Sequence, residues 1–125
     1  MLVPVHQTDL TPEDITVSGG VTFSGEQAAV LAALTHNLAI AVPVYTLAIT
    51  LTGAQSLTGL LPGYTFVAGV SYAVENRDAV DTLTLVHGSG SSTYPFTCPG
   101  LVDLAVLPGQ SAVVKFDGTT FRVLS

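Results

Sequence analysis

Apolar residues alternate with small polar ones along most of this sequence, and turn dipeptides interrupt the alternation at short intervals. In the clearest stretch threonine or alanine alternates with larger apolar residues, namely Tyr45, Leu47, Ile49 and Leu51. A period of two is typical of half-buried β-strands. Further strands are predicted at 64–67, 70–75, 81–87, 101–107, 111–117 and 119–124. Strands about ten residues apart favour a mainly β fold, an antiparallel β-sandwich of jelly-roll type or a small β-barrel.

Two hairpins are predicted from their turn residues. Near the C-terminus, alternating residues flank Asp117-Gly118, a dipeptide favoured in type I′ turns. Near the N-terminus, residues 15–18 and 21–24 flank Gly19-Gly20, which permits the positive φ angles of a tight turn.

One short helix is predicted over residues 25–35. Ser24 and Gln27 have the spacing of a capping box, in which the two side chains bond each other's backbone N–H groups. Residues 28–34 are rich in alanine and leucine, which are strong helix formers.

The first fourteen residues have no helical or strand period, and we interpret them as an extended N-terminal arm (1–14) before a single β domain (15–125). A chain of 125 residues is long enough for one core but not for two. The candidate assembly residues of the arm are Leu2, Val3, Pro4, Val5 and Leu10.

Charge is scarce in this chain. Hydrophobic residues make up 48% and charged residues 10%, against roughly 25% charged residues in an ordinary soluble domain. Sixteen threonines and twelve glycines are left to cover the surface. Obligate interfaces are depleted in charge, so the composition predicts self-association or assembly with other proteins.

The net charge of −6 leaves only three basic residues, Arg77, Lys115 and Arg122. Such a chain repels phosphate, so nucleic acid and anionic membranes are not expected partners. The lone Cys98 excludes an internal disulfide. The apolar stretch 38–51 is too short to span a bilayer, and the N-terminus lacks the features of a signal peptide, so we expect a soluble protein that is made in the cytoplasm.

No residue pattern indicates catalysis, a metal or a cofactor. His6, His36 and His87 are dispersed in the sequence. Cys98 could pair with His87 as a thiol nucleophile, but its neighbours are not basic. The segment 88–93 lacks the lysine of a phosphate loop and is predicted to be a flexible hairpin tip.

Two groups of acids have alternative interpretations. The loop 75–81 could bind calcium, although a solvated loop in which Arg77 pairs with an acid is favoured. Asp103 is the one acid within a predicted strand, and a cross-strand ion pair with Lys115 or Arg122 is preferred to a catalytic role.

The C-terminal half resembles β domains of tailed-bacteriophage structural proteins, including capsid decoration or cement proteins and tail-fibre modules. The segments concerned are Gly63 to Val67 (GYTFV), Tyr72 to Asn76 (YAVEN), Thr82 to Val86 (TLTLV) and Leu107 to Leu124 (LPGQSAVVKFDGTTFRVL). The likeness covers residues 62–125, and Phe121 stands where those domains usually have tryptophan. It implies an abundant virion component without enzymatic activity.

The leading hypothesis is therefore a cement protein on the capsid surface of a virion. Its partners would be the major capsid protein and its own copies, as a dimer or trimer. The alternative is a receptor- or glycan-binding tail-fibre or spike module that uses the loops 76–81 and 88–94.

Overall fold

The computed structural model describes residues 15–17 and 21–124, and the side chains of residues 25–124. This part of the chain is mainly β, as predicted, and its one helical element is a 3-10 turn at Pro99–Leu101. The strands are β1 (Ile15–Val17), β2 (Val21–Leu31), β3 (Leu38–Ile40), β4 (Val44–Leu51), β5 (Gln55–Leu57), β6 (Leu60–Pro62), β7 (Ser71–Asn76), β8 (Leu83–Leu85), β9 (Phe96–Thr97), β10 (Leu104–Val106), β11 (Ser111–Phe116) and β12 (Phe121–Val123).

The strands wind in successive coils. β2, β4 and β7 lie side by side and parallel in a seven-stranded sheet. Between them the chain crosses two smaller sheets, in which β3 is parallel to β6 and β5 is parallel to β8. The first coil thus contains β2 and β3, the second β4, β5 and β6, and the third begins with β7 and β8.

This arrangement is solenoid-like, and the predicted antiparallel sandwich, jelly roll or barrel is not observed. The prediction went wrong because a period of two reports that a strand has one buried face, but not which strand lies beside it. Parallel neighbours need a long crossover. Here the short strands of the smaller sheets form that crossover.

Antiparallel strands cover the third coil. β11 lies antiparallel beside β7, and β10 lies antiparallel beside β8. β12 follows β11 in a hairpin, and β9 is parallel to β12 at the edge of the large sheet. At the opposite edge, β1 pairs with the first three residues of β2.

The helix predicted over residues 25–35 is wrong, because residues 21–31 form strand β2. β2 is in register with β4 from Ser24 opposite Val44 to Leu31 opposite Leu51. That pairing outweighs the helix preference of alanine, and Gly25 weakens a helix by about 1 kcal/mol. The amide of Gln27 bonds the carbonyl of Ala39 and the N–H of Ala41 instead of capping a helix.

Both predicted hairpins are confirmed within the described residues, since β1 pairs with β2 and β11 with β12. The C-terminal turn is longer than a type I′ turn, because Phe116 and Phe121 are paired and Asp117–Thr120 connect them. The Asp117 carboxylate accepts the N–H groups of Thr119 and Thr120. These bonds stabilise its charged form and lower its pKa to about 2.

The other predicted strands are confirmed, the one at 70–75 with a shift of one residue and the rest with shorter bounds, except the strand at 64–67, which is wrong. Residues 63–70 are irregular, and their aromatic side chains pack against the core. Phe66 contacts the rings of Tyr94, Phe116 and Phe121. The Tyr64 and Tyr72 hydroxyls bond each other, and burial raises the pKa of both.

Asn76 is a fully buried polar residue at the end of β7. Its side-chain amide donates to the carbonyls of Asp81 and Val106, at 2.9 and 2.8 Å, and its side-chain oxygen accepts the N–H of Asp78 at 2.9 Å. All of its hydrogen-bonding groups are therefore used, and they join the third coil to β10.

Candidate functional site

A chain of hydroxyl and imidazole groups is the constellation that most resembles a catalytic site. His36 Nδ1 lies 2.6 Å from the Thr58 hydroxyl, which lies 2.5 Å from the Ser92 hydroxyl. Three separate segments supply these residues: the corner after β2, the link between β5 and β6, and the loop after β8.

The arrangement does not fit nucleophilic catalysis. The central hydroxyl belongs to Thr58, which is 2% exposed, so a substrate cannot reach it. Among the described residues no carboxylate orients the ring of His36, whereas an activated nucleophile needs such a third group. The hydroxyls instead fix the loop 88–94, together with a bond from the Thr93 N–H to the Asn37 side chain. These bonds anchor the loop. The flexible hairpin tip predicted at 88–93 is wrong, because β8 and β9, the strands on either side of the loop, are not paired with each other.

His87 and Cys98 are neighbours, as a thiol nucleophile would require, but their contact has another role. The His87 Nδ1 atom accepts the backbone N–H of Cys98 at 3.1 Å. The Cys98 thiol is buried and donates to the carbonyl of Leu85. Burial raises the pKa of this thiol, so it stays protonated and unreactive.

The loop 75–81 uses its oxygens internally. The Asp78 carboxylate accepts the N–H groups of Leu51, Val80 and Asp81. These bonds lower the pKa of Asp78. Within residues 15–17 and 21–124 no cluster of histidine, cysteine and acidic side chains could hold a metal ion.

Arg77 pairs with acids, as predicted, and it joins strands that are not neighbours. Its guanidinium makes two bonds of 2.6 Å to Glu26 on β2, and it also bonds Glu75 on β7. The hydrogen bonds raise the pKa of Arg77 and lower that of Glu26. Since β4 lies between β2 and β7, this ion-pair group crosses β4.

Lys115 and Arg122 stand directly opposite each other on β11 and β12. Both are exposed, and no carboxylate in the described part of the chain forms an ion pair with either. The predicted pair with Asp103 is wrong, because Asp103 precedes β10 and accepts the N–H of His87 at 2.9 Å. Like charges directly opposite on neighbouring strands repel each other.

The solvent side of the large sheet, which we call the outer face, carries the charged side chains of Lys115 and Arg122 and also those of Glu26 and Glu75. Its remaining side chains are small or aliphatic. Among the described residues, the outer face comprises Glu26, Ala28, Val30, Thr46, Ala48, Thr50, Ser71, Ala73, Glu75, Ser111, Val113, Lys115, Arg122 and Leu124. Val113 is 42% exposed and Leu124 is 54% exposed, and the two are cross-strand neighbours beside the cation pair.

The sequence interpretation missed several residues that determine this geometry. Thr58, Ser92 and Asn76 are polar residues in turn-like segments, where composition predicts solvated loops. Their partners are distant in sequence, so local spacing carries no signal for them. The opposition of Lys115 and Arg122 was missed as well, because the two-residue turn predicted at Asp117-Gly118 places Lys115 opposite Thr120, whereas the observed connection of four residues places it opposite Arg122.

The candidate assembly residues Leu2, Val3, Pro4, Val5 and Leu10 lie outside the described residues. Among the residues described, no helix is long and apolar enough to cross a membrane. No family model matches the sequence, and no curated protein or solved structure matches it either.

Proposed function

We propose that this chain is a non-enzymatic virion structural protein, a capsid decoration or cement protein. It stabilises the shell by bridging neighbouring major capsid protein subunits, and its copies associate as a dimer or trimer. The observation that supports this function best is the outer face, a broad strand surface of small side chains with a cation pair that no described carboxylate neutralises, on an acidic chain.

The cation pair favours a partner with carboxylates. Alone, Lys115 and Arg122 repel each other; beside a carboxylate of a neighbouring subunit, both gain an attractive interaction. The same face carries Val113 and Leu124, whose burial against the partner is favourable. Charges at the edge of an interface also increase the rate of association and select the partner.

The rest of the outer face suits close contact. The charges of Glu26, Glu75 and Arg77 already interact with one another, so each carboxylate keeps a cationic neighbour when the group is buried, and the group carries one net negative charge. Alanine, serine and threonine side chains let another backbone approach. The centres of protein interfaces are likewise depleted of unpaired charge.

The absence of enzymatic activity is proposed from the described groups that could react. The Thr58 hydroxyl, the Cys98 thiol and the Asp78 carboxylate are all engaged in internal bonds. These bonds hold loops together, which is a structural role.

The test is a binding experiment with two variants of equal net charge. K115A/R122A removes the cation pair and changes the net charge of −6 to −8. T65E/S91E makes the same change at exposed positions away from the outer face. Co-sedimentation with purified capsids should show saturable binding of the wild type and of T65E/S91E. K115A/R122A should bind about tenfold more weakly, a loss of about 1.4 kcal/mol.

Equal binding by all three proteins would show that the cation pair is not part of the interface with the capsid. A wild-type protein that stays monomeric and ignores capsids would refute the cement function. Saturable binding in a glycan screen would instead support the tail-fibre or spike alternative.

A further inference from the structure

Opposite charges lie at two separate places on the outer face. At one place Glu26 and Glu75 share the guanidinium of Arg77, and this acidic group carries one net negative charge. At the other place Lys115 and Arg122, the cation pair, carry two positive charges. The outer face is therefore complementary to itself, because a second copy turned to face the first can place each group over its opposite.

The strand order gives the positions of the two groups across the sheet. The acidic group is centred on β4, because its glutamates lie on β2 and β7, and the cation pair is centred between β11 and β12. Since neighbouring strands are about 4.8 Å apart, the two groups are separated by about 12 Å in this direction.

The register gives their positions along the strands. Glu26 is level with Ala73, and Glu75 lies two residues further on. Lys115 is level with Ser71, so the centres of the two groups are separated by about three residues, or about 10 Å, in this direction. The midpoint between the acidic group and the cation pair therefore lies close to Ala73.

We propose that two copies of the free protein pair through their outer faces, with the cation pair of each copy over the acidic group of the other. A two-fold axis that lies between the two sheets and passes over Ala73 generates both contacts at once, as in an isologous dimer. The axis is perpendicular to the line that joins the two groups. The strands of the two sheets then cross at about 80°, which is close to the orthogonal class of sheet packing.

Small side chains lie at the centre of this interface. Ala73 is level with Thr46 on β4 and with Val113 on β11. Such side chains let two sheets approach to the usual spacing of about 10 Å. Val113, which is 42% exposed, becomes buried there. The cation pairs of the two copies are about 16 Å apart, twice the screening length of about 8 Å at physiological salt, so their mutual repulsion is weak.

The contact is small enough to be reversible. Its five strands span about 24 Å, and about five residues along each strand span about 17 Å, so each copy buries about 400 Å², half of the standard area of about 800 Å². The next step rests on the proposed function, in which the same face binds the shell. A copy must leave its pair before it lies against the capsid, so pairing covers the outer face until capsid subunits replace the second copy.

Analytical ultracentrifugation of the full chain tests the pairing. K115E/R122E changes the net charge from −6 to −10, and E26K changes it to −4, in both cases at exposed positions. The wild type and T65E/S91E should form dimers that dissociate on dilution and in high salt. K115E/R122E alone and E26K alone should each dimerise at least about tenfold more weakly, because like charges then meet across the interface.

An equimolar mixture of K115E/R122E and E26K gives the sharpest result. Both variants are acidic overall and repel each other at a distance, but the E26K substitution gives the acidic group a net charge of +1. That group then faces the new acids of K115E/R122E, while the cation pair of E26K faces an unchanged acidic group. The mixture should therefore dimerise about as readily as the wild type.

Three results would each overturn the pairing. They are a wild type that is monomeric at every concentration, single variants that dimerise as the wild type does, and a mixture that stays monomeric.

Co-sedimentation with capsids separates the pairing from the proposed function. E26K keeps the cation pair, so it should bind capsids, and an excess of K115E/R122E should remove it from the pellet. Unchanged binding of E26K in that excess would overturn the displacement step. If the wild type and E26K ignored capsids while the mixture still formed dimers, the cement function and the displacement step would be refuted, but the pairing would not.

Discussion

Gly59 offers a quantitative test of how the second coil packs against the loop 88–94. A Cβ atom at this position would lie 2.5 Å from the carbonyl oxygen of Tyr94 and 2.7 Å from Ser92 Cβ. Contacts this short force the neighbouring backbone to move. The shift would also disturb the bond between the Thr58 and Ser92 hydroxyls.

The cost of Gly59→Ala has two parts. Overpacking a close contact costs about 1–3 kcal/mol, and weakening a buried hydroxyl bond costs about 1 kcal/mol. We therefore expect the free energy of unfolding to fall by about 2–4 kcal/mol. Gly90→Ala is the control, because a Cβ atom there meets nothing within 4 Å.

The assay is equilibrium urea denaturation followed by tyrosine fluorescence, with both variants compared at unchanged m-value. A surface substitution changes stability by up to about 0.5 kcal/mol, and Gly90→Ala should stay within that range. If Gly59→Ala also stayed within it, the close packing of the loop against the second coil would be refuted.

Three further predictions concern the core, the C-terminal turn and the thiol. Phe121→Ala should lower the free energy of unfolding by about 3–5 kcal/mol, since Phe121 is fully buried, whereas Arg122→Ala should be nearly neutral. The lowered pKa of Asp117 contributes stability above about pH 4, and thermal scans should show it lost as the pH falls towards about 2, less so in Asp117→Asn. Cys98 should react with iodoacetamide only after unfolding, as read by mass spectrometry.

Each of these has an outcome that contradicts it. A loss below 1 kcal/mol for Phe121→Ala would place its ring outside the core. Identical melting curves for wild type and Asp117→Asn from pH 6 to pH 2 would mean that the turn bonds do not stabilise the folded state. Rapid alkylation of Cys98 in the native protein would show that the thiol is accessible.

The strand content could be predicted from the sequence, because alternation depends only on which side of each residue is buried. The order of the strands could not. β4 has the same alternation whether its neighbours are parallel or antiparallel, and its partners β2 and β7 are set by contacts distant in sequence. β2 was mistaken for a helix because its alanines are small enough for either structure.

The candidate site was predictable only in part. The partner of Arg77 within its own loop, Glu75, follows from local spacing, but Glu26 lies far away in sequence and meets it only across β4. Asp103 was expected in a strand, yet β10 begins one residue later, so its carboxylate meets a backbone N–H instead of a cation. A difference of one residue in where a strand begins therefore changes which group a charged side chain contacts.

The central proposal is that the outer face binds neighbouring capsid subunits. A density map of capsids saturated with this protein tests it most directly. We predict that the outer face lies against the shell, with Lys115 and Arg122 beside carboxylates of the major capsid protein. A map in which that face points to solvent, or in which no copy is bound, would contradict the proposal.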